Sequence, residues 1–183
     1  MPTPPLECLA VVLIGHGAPA TDCPPQLIGE LMGLEWRQDH HGGGAVEPPP
    51  QVRERIERLD AQIRDWPRHA GNDPYKHGLE RLAEALRPLV PAERVAVGYN
   101  EFCRPGIAEA VAQVIQAGAT RVLIIPSMLT PGGVHAEKDI PRALEGVRRQ
   151  HPGIRIEYVW PFRLRQVAEL LAAHVAETLG RSA

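Results

Sequence analysis

Two histidines and one glutamate stand at equivalent places along this chain, each a little beyond a short apolar run. His16 sits between two glycines in "LIGHGAP", Glu101 lies in "GYNEFCRP", and His135 follows the Pro-Gly-Gly turn of "PSMLTPGGVHAEKDIP". Neutral imidazole is the commonest ligand of borderline divalent metals, and two imidazoles with one carboxylate leave coordination positions open. An ion held in that way can be passed on, whereas a closed four-ligand site would retain it. The carboxylate, and imidazole near pH 7, can also accept protons from a reacting group. Taken singly, each histidine reads as readily as a turn or packing residue; the pair together carries the metal reading. Glu137 and Asp139 read chiefly as acids of the following helix's first turn, where the dipole favours them, and the Pro-Gly-Gly turn reads as a holder for His135.

The elements that must position these side chains are legible in the apolar pattern. Residues 8–14, 94–99, 121–126 and 154–160 form short runs rich in Val, Ile and Leu that mostly lack the alternation of a half-exposed strand. That is the pattern of parallel strands covered on both faces. Helical periodicity follows at 105–117, 137–150 and 164–179, with Gly118 just past the end of the first. Alternating strands and helices predict an α/β fold: a doubly wound, mostly parallel four-stranded sheet with flanking helices. In such sheets ligands bind beyond the carboxyl ends of the strands, where His16, Glu101 and His135 all emerge. The chain reads as one domain over 1–183, with an insertion over about 20–90 between the first two strands. Within it, "HHGGG" and "PPP" predict a flexible loop over about 38–50, followed by two helices over 51–66 and 75–89. His40 and His41 read as part of that polar loop in preference to a metal-collecting pair.

Composition narrows the partners. A chain of 183 residues with 44% hydrophobic and 23% charged residues suits a single buried core. A formal net charge of -2 predicts no nucleic-acid partner. No apolar run reaches the roughly 20 residues that span a bilayer, so no membrane partner is expected. Cys8, Cys23 and Cys103 are odd in number and unspaced for a thiolate metal site, and the cytoplasm is the expected compartment.

"LIGHGAP", "GYNEFCRPGIAEAV" and "IIPSMLTPGGVHAEKDIP" resemble, in order and placement, three motifs of the class II tetrapyrrole chelatases, nearest to the sirohydrochlorin cobaltochelatases of the CbiX type and their ferrochelatase relatives. The resemblance covers about 8–19 and 94–180, and 20–90 has no counterpart in it. It implies a chelatase-like domain, a lyase of cobalamin-type tetrapyrrole biosynthesis, a divalent ion (Co²⁺, Fe²⁺ or Ni²⁺) held by His16 and His135, Glu101 as the acidic partner in proton removal, and no organic cofactor. Arg104, Met128 and Lys138 flank the same crevice and are candidate contacts to the macrocycle. Where family members commonly carry a hydroxyl and then an arginine after GHG, this chain has Ala18 and Pro19. Short family members pair as homodimers; this chain either does the same or uses its extra helices to cover that surface.

The reaction so implied is insertion of a divalent metal into a sirohydrochlorin-like tetrapyrrole, with the histidines binding metal and accepting pyrrole protons. The alternative is a non-catalytic protein that binds or delivers metal or tetrapyrrole, motivated by the insertion and the altered residues after GHG.

Overall fold

The computed structural model describes residues 7–41 and 48–181. Four strands form one parallel sheet in the order β2-β1-β3-β4: β1 (Leu9–Gly15), β2 (Arg94–Tyr99), β3 (Arg121–Pro126) and β4 (Arg155–Tyr158). Each expected strand lies where its apolar run lies. The register pairs Leu13 with Val97 of β2 and with Ile125 of β3, so β2, β1 and β3 end nearly level with one another. That alignment is what brings their following loops to a common edge.

One face of the sheet is closed by α4 (Ile107–Gln116) and α5 (Ile140–Gln150). Ala10, Val12, Ile14, Val122, Ile124 and Ile156 pack there against Ile107, Val111, Val114, Ile140, Leu144 and Val147. The spacing of 107, 111 and 114 on α4, and of 140, 144 and 147 on α5, is the three-to-four-residue stripe of a helix with one face buried. On the other face α3 (Pro74–Leu86) lays Leu79 and Ala83 over Val11, Leu13, Val95 and Tyr99. Helices on both faces make the sheet doubly wound, which is why its strands read as continuous apolar runs. Gly98 allows the close approach of α4: a Cβ there would stand 2.9 Å from both Ala110 Cβ and Ile14 Cδ1.

The connection between β1 and β2 holds α1 (Pro25–His41) and α2 (Pro50–Arg64) as well as α3. The sequence reading assigns α2 and α3 but not α1, whose first residues are Pro25 to Ile28. Leu31 of α1 meets Leu59 and Ile63 of α2, and Ala20, Cys23 and Phe102 complete this third cluster. The loop expected over about 38–50 begins inside the last turn of α1, and 42–47 lie outside the described residues, as do the side chains of His40 and His41.

α6 (Leu164–Arg181) closes the described chain. Leu164, Leu170, Leu171, Val175 and Leu179 on it are each more than half exposed. No described helix is long and apolar enough to cross a membrane.

Candidate metal centre

β1 delivers His16 directly, because its run ends at Gly15 and turns at Gly17. Gly15 lets α3 come close: a Cβ there would meet Leu79 Cδ2 at 2.6 Å, and the Tyr75 hydroxyl accepts the His16 peptide N–H at 2.8 Å. Gly17 has φ +94°, and a Cβ on it would fall 1.9 Å from the Glu101 carbonyl oxygen. Only glycine fits between the two loops. In return the Glu101 peptide N–H donates to the His16 carbonyl at 2.8 Å, and the Asn100 N–H to the Gly15 carbonyl at 2.9 Å. Phe102 then takes φ +57°, unusual for a residue with a side chain, and its ring centroid lies 6.4 Å from that of His16.

The loop after β3 is fixed by the acids that follow it. Gly132, at φ +92°, donates its N–H to Glu137 Oε1 at 2.6 Å. His135–Asp139 form a single wide π-helical turn before α5, pinned by the Tyr158 hydroxyl, which donates to the Ala136 carbonyl at 2.8 Å. Wide turns of this kind re-aim side chains and recur at functional sites. Here the turn brings Asp139 Oδ2 to 2.7 Å from His135 Nδ1, and the Asn100 amide contacts the same nitrogen at 2.9 Å.

The three side chains named from the sequence come together. The His16 and His135 rings stand edge to face with centroids 4.5 Å apart. Glu101 lies between them, its Oε2 3.8 Å from His16 Nε2 and its Oε1 3.7 Å from His135 Nδ1. One ligand atom from each lies within 4.8 Å of the others, so a single ion could be held by all three. All are half-buried, with side-chain exposures of 40%, 36% and 28% for His16, Glu101 and His135, so the centre is open to solvent on one side.

Hydrogen bonds orient both imidazoles. His16 Nδ1 lies 2.7 Å from the Gly17 carbonyl oxygen, which can only accept, so Nδ1 carries the proton and Nε2 keeps its lone pair. His135 Nδ1 is held between Asp139 Oδ2, which accepts, and the Asn100 amide nitrogen, which donates, in the manner of a histidine ring oriented by a carboxylate behind it. His16 Nε2 is thus the nitrogen that the His16 ring leaves for a ligand.

The other candidates sit differently. Met128 is partly buried against the main core, and its sulfur lies 3.8 Å from the Ser127 hydroxyl. Lys138 is exposed on the π turn. Arg104 binds Asp65 at 2.5 Å and pairs with Glu109, and the Asp65 hydrogen bond above all holds its pKa up. Sequence reasoning missed Asp139 and Asn100. The i,i+4 spacing of His135 and Asp139 was the available signal, masked by the preference of acids for a helix start. Burial pushes the Cys103 thiol pKa up, which disfavours its thiolate as a ligand.

A parallel α/β fold with an open two-histidine, one-carboxylate centre at its carboxyl edge defines the class of this chain. The CbiX family profile matches residues 71–178, more than half of the sequence, and the chain belongs to that family. The match takes in α3, Glu101 and His135, while His16 lies ahead of it. A sirohydrochlorin cobaltochelatase of Methanopyrus kandleri is 34% identical over 77 residues, covering 42% of this chain and 53% of the relative. The enzyme of that name from Methanocaldococcus jannaschii is 36% identical over 84 residues, covering 45% and 58%, and that from Sulfurisphaera tokodaii 32% over 89 residues, covering 48% and 70%. The match thus spans little more than half the length of the first two. In fold, the chain is similar to a candidate CbiX protein of cobalamin biosynthesis from Marinobacter aquaeolei VT8, with a TM-score of 0.53 at 20% identity over 94% of this chain and 98% of that one.

Replacing Asp139 by Asn removes the carboxylate that holds His135 Nδ1. Asp139→Asn is expected to weaken Co²⁺ binding by about 10–100-fold in isothermal titration, with the far-UV spectrum unchanged; binding at wild-type strength would remove Asp139 from this role.

Proposed function

We propose that this chain inserts a divalent metal ion, cobalt, iron or nickel, into a sirohydrochlorin-like tetrapyrrole. The ion is a substrate, and no organic cofactor takes part. The observation that carries the reading is the convergence of His16, Glu101 and His135, each with one ligand atom within 4.8 Å of the others. Family membership and the names of the relatives support the same reaction.

The chemistry exchanges one M²⁺ for the two protons on the ring's pyrrole nitrogens. His16 and His135 hold the ion together with Glu101, and three protein ligands leave positions for ring nitrogens to enter. As the ion passes to the ring, the freed imidazole lone pairs and the Glu101 carboxylate stand ready to accept those two protons. Imidazole and carboxylate accept all three candidate metals, so supply and geometry decide among them. Met128 gives an apolar contact for the flat ring, and Lys138 a free cation for a ring carboxylate. Arg104 can serve only by releasing Asp65 and Glu109. The chain works as one domain with its insertion, in the cytoplasm, where the free thiols of Cys8, Cys23 and Cys103 would persist.

We assign a homodimer as the working assembly. α6 leaves its apolar face uncovered, and the same sheet leaves Leu123 and Ile125 of β3 only partly buried on the α3 side. A second copy offers each surface the apolar cover it lacks.

With Co²⁺, Fe²⁺ or Ni²⁺ and sirohydrochlorin, the protein is expected to accelerate the visible spectral change of insertion, and His135→Ala to slow it by about 100-fold or more. A folded protein that matches the protein-free rate with every metal contradicts the reading; tight metal or ring binding without turnover would mark a delivery protein instead. Light scattering after gel filtration is expected to give the mass of two chains, and that of one for the double variant Leu171→Glu, Val175→Glu; a single-chain mass for the wild type contradicts the dimer.

A further inference from the structure

The segment joining α2 to α3, "DWPRHAGND" at 65–73, carries an arginine that reaches both loops of the metal centre. Arg68 Nη1 donates to the Ala18 carbonyl at 2.8 Å, two residues beyond His16. Its Nη2 donates to the Phe102 carbonyl, one residue beyond Glu101, and to the Ile63 carbonyl at the end of α2 at 3.2 Å. Asp73, with a side chain 1% exposed, pairs with the same guanidinium, which is itself 7% exposed. Asp73 is anchored in turn as the N-cap of α3, accepting the Lys76 N–H at 2.9 Å. The Cys103 thiol donates to the Ala18 carbonyl at 3.3 Å from the opposite loop. Asn72, also buried, fixes the segment to the β1 side: its carbonyl accepts the Thr21 N–H at 2.8 Å and its amide donates to Asp22 at 3.0 Å.

A planar guanidinium can serve several acceptors at set angles at once, which an ammonium cannot. We infer that Arg68, held by Asp73, is a positioning residue that clamps the His16 and Glu101 loops at the separation metal binding requires. This rests on the metal-site reading above, and it gives the segment between α2 and α3 a function: it brings a buried cation from the insertion to the back of both loops. Arg68 touches no ligand side chain. It acts on the carbonyls beside two of them, where the strained Phe102 backbone would otherwise relax.

The test is Co²⁺ titration calorimetry on the full chain, with hydrogen exchange at the Glu101 amide as a second readout. Arg68→Lys keeps the charge and loses the fork; it is expected to weaken Co²⁺ binding by about 10–100-fold and to speed Glu101 exchange while the far-UV spectrum stays that of the wild type. Should the lysine variant not fold, Asp73→Asn, which keeps an acceptor for Lys76, is expected to show both changes at smaller size. Arg55→Gln, which breaks a surface pair with Glu30 in the same insertion, is the control and is expected to bind like the wild type. Unchanged affinity and exchange in a folded Arg68→Lys or Asp73→Asn variant overturns the clamp, as does an equal loss in Arg55→Gln. A wild type that binds no Co²⁺ overturns the metal-site reading and this inference with it.

Discussion

The Glu101 peptide N–H donates to the His16 carbonyl at 2.8 Å across two loops that belong to neighbouring strands. That bond is possible because Gly17 has no Cβ to strike the Glu101 carbonyl. It fixes the distance between the first imidazole and the carboxylate before any ion is present. The parallel register of β1, β2 and β3 brings the loops to one edge, but it sets their separation only to within a strand spacing of about 4.8 Å. Metal coordination is more demanding than that. The last ångström comes from loop-to-loop bonds, and these depend on residues that bind no metal.

The site accordingly has two kinds of support. The Gly17 carbonyl and the Asp139 carboxylate, each 2.7 Å from an Nδ1, aim the two imidazoles, and the Gly17 carbonyl chooses the tautomer of His16. Backbone bonds and the buried Arg68–Asp73 pair hold the loops themselves. A buried pair is a stringent tether, since removing one partner strands the other charge at a cost of about 3–5 kcal/mol. His16, Glu101 and His135 stay half-exposed while the Arg68–Asp73 pair is buried, which suits the proposed passage of an ion to a flat ring.

Much of this was legible in the sequence, for physical reasons that differ from residue to residue. The strands were readable because both their faces are covered, giving apolar runs with turn residues after them. The convergence of His16, Glu101 and His135 was readable because parallel sheets bind at their carboxyl edge, so the loop following each run is constrained by topology. α1 was not readable: its apolar residues, Leu27, Ile28, Leu31, Met32 and Leu34, are spread around the helix and interrupted by Gly29 and Gly33, and only Leu31 is deeply buried. Asp139 was misread because a helix-start acid and an acid behind a histidine share one position in the chain. The clamp gave no signal: Arg68 and Asp73 lie five residues apart, but the loop carbonyls that Arg68 grips lie 34 residues on at Phe102 and 50 residues back at Ala18, and no local period encodes a tertiary tether. Arg104 looked available beside the crevice for the same reason, its acidic partners on α4 and after α2 being invisible to spacing alone.

The central claim is that the His16 and His135 imidazoles hold one ion together with the Glu101 carboxylate. X-ray absorption at the cobalt edge, on the one-to-one Co²⁺ complex, reads that ligand set directly. The account predicts two imidazoles in the cobalt shell, falling to one in His16→Ala and to one in His135→Ala. A shell with no imidazole, or one that neither substitution alters, would contradict it.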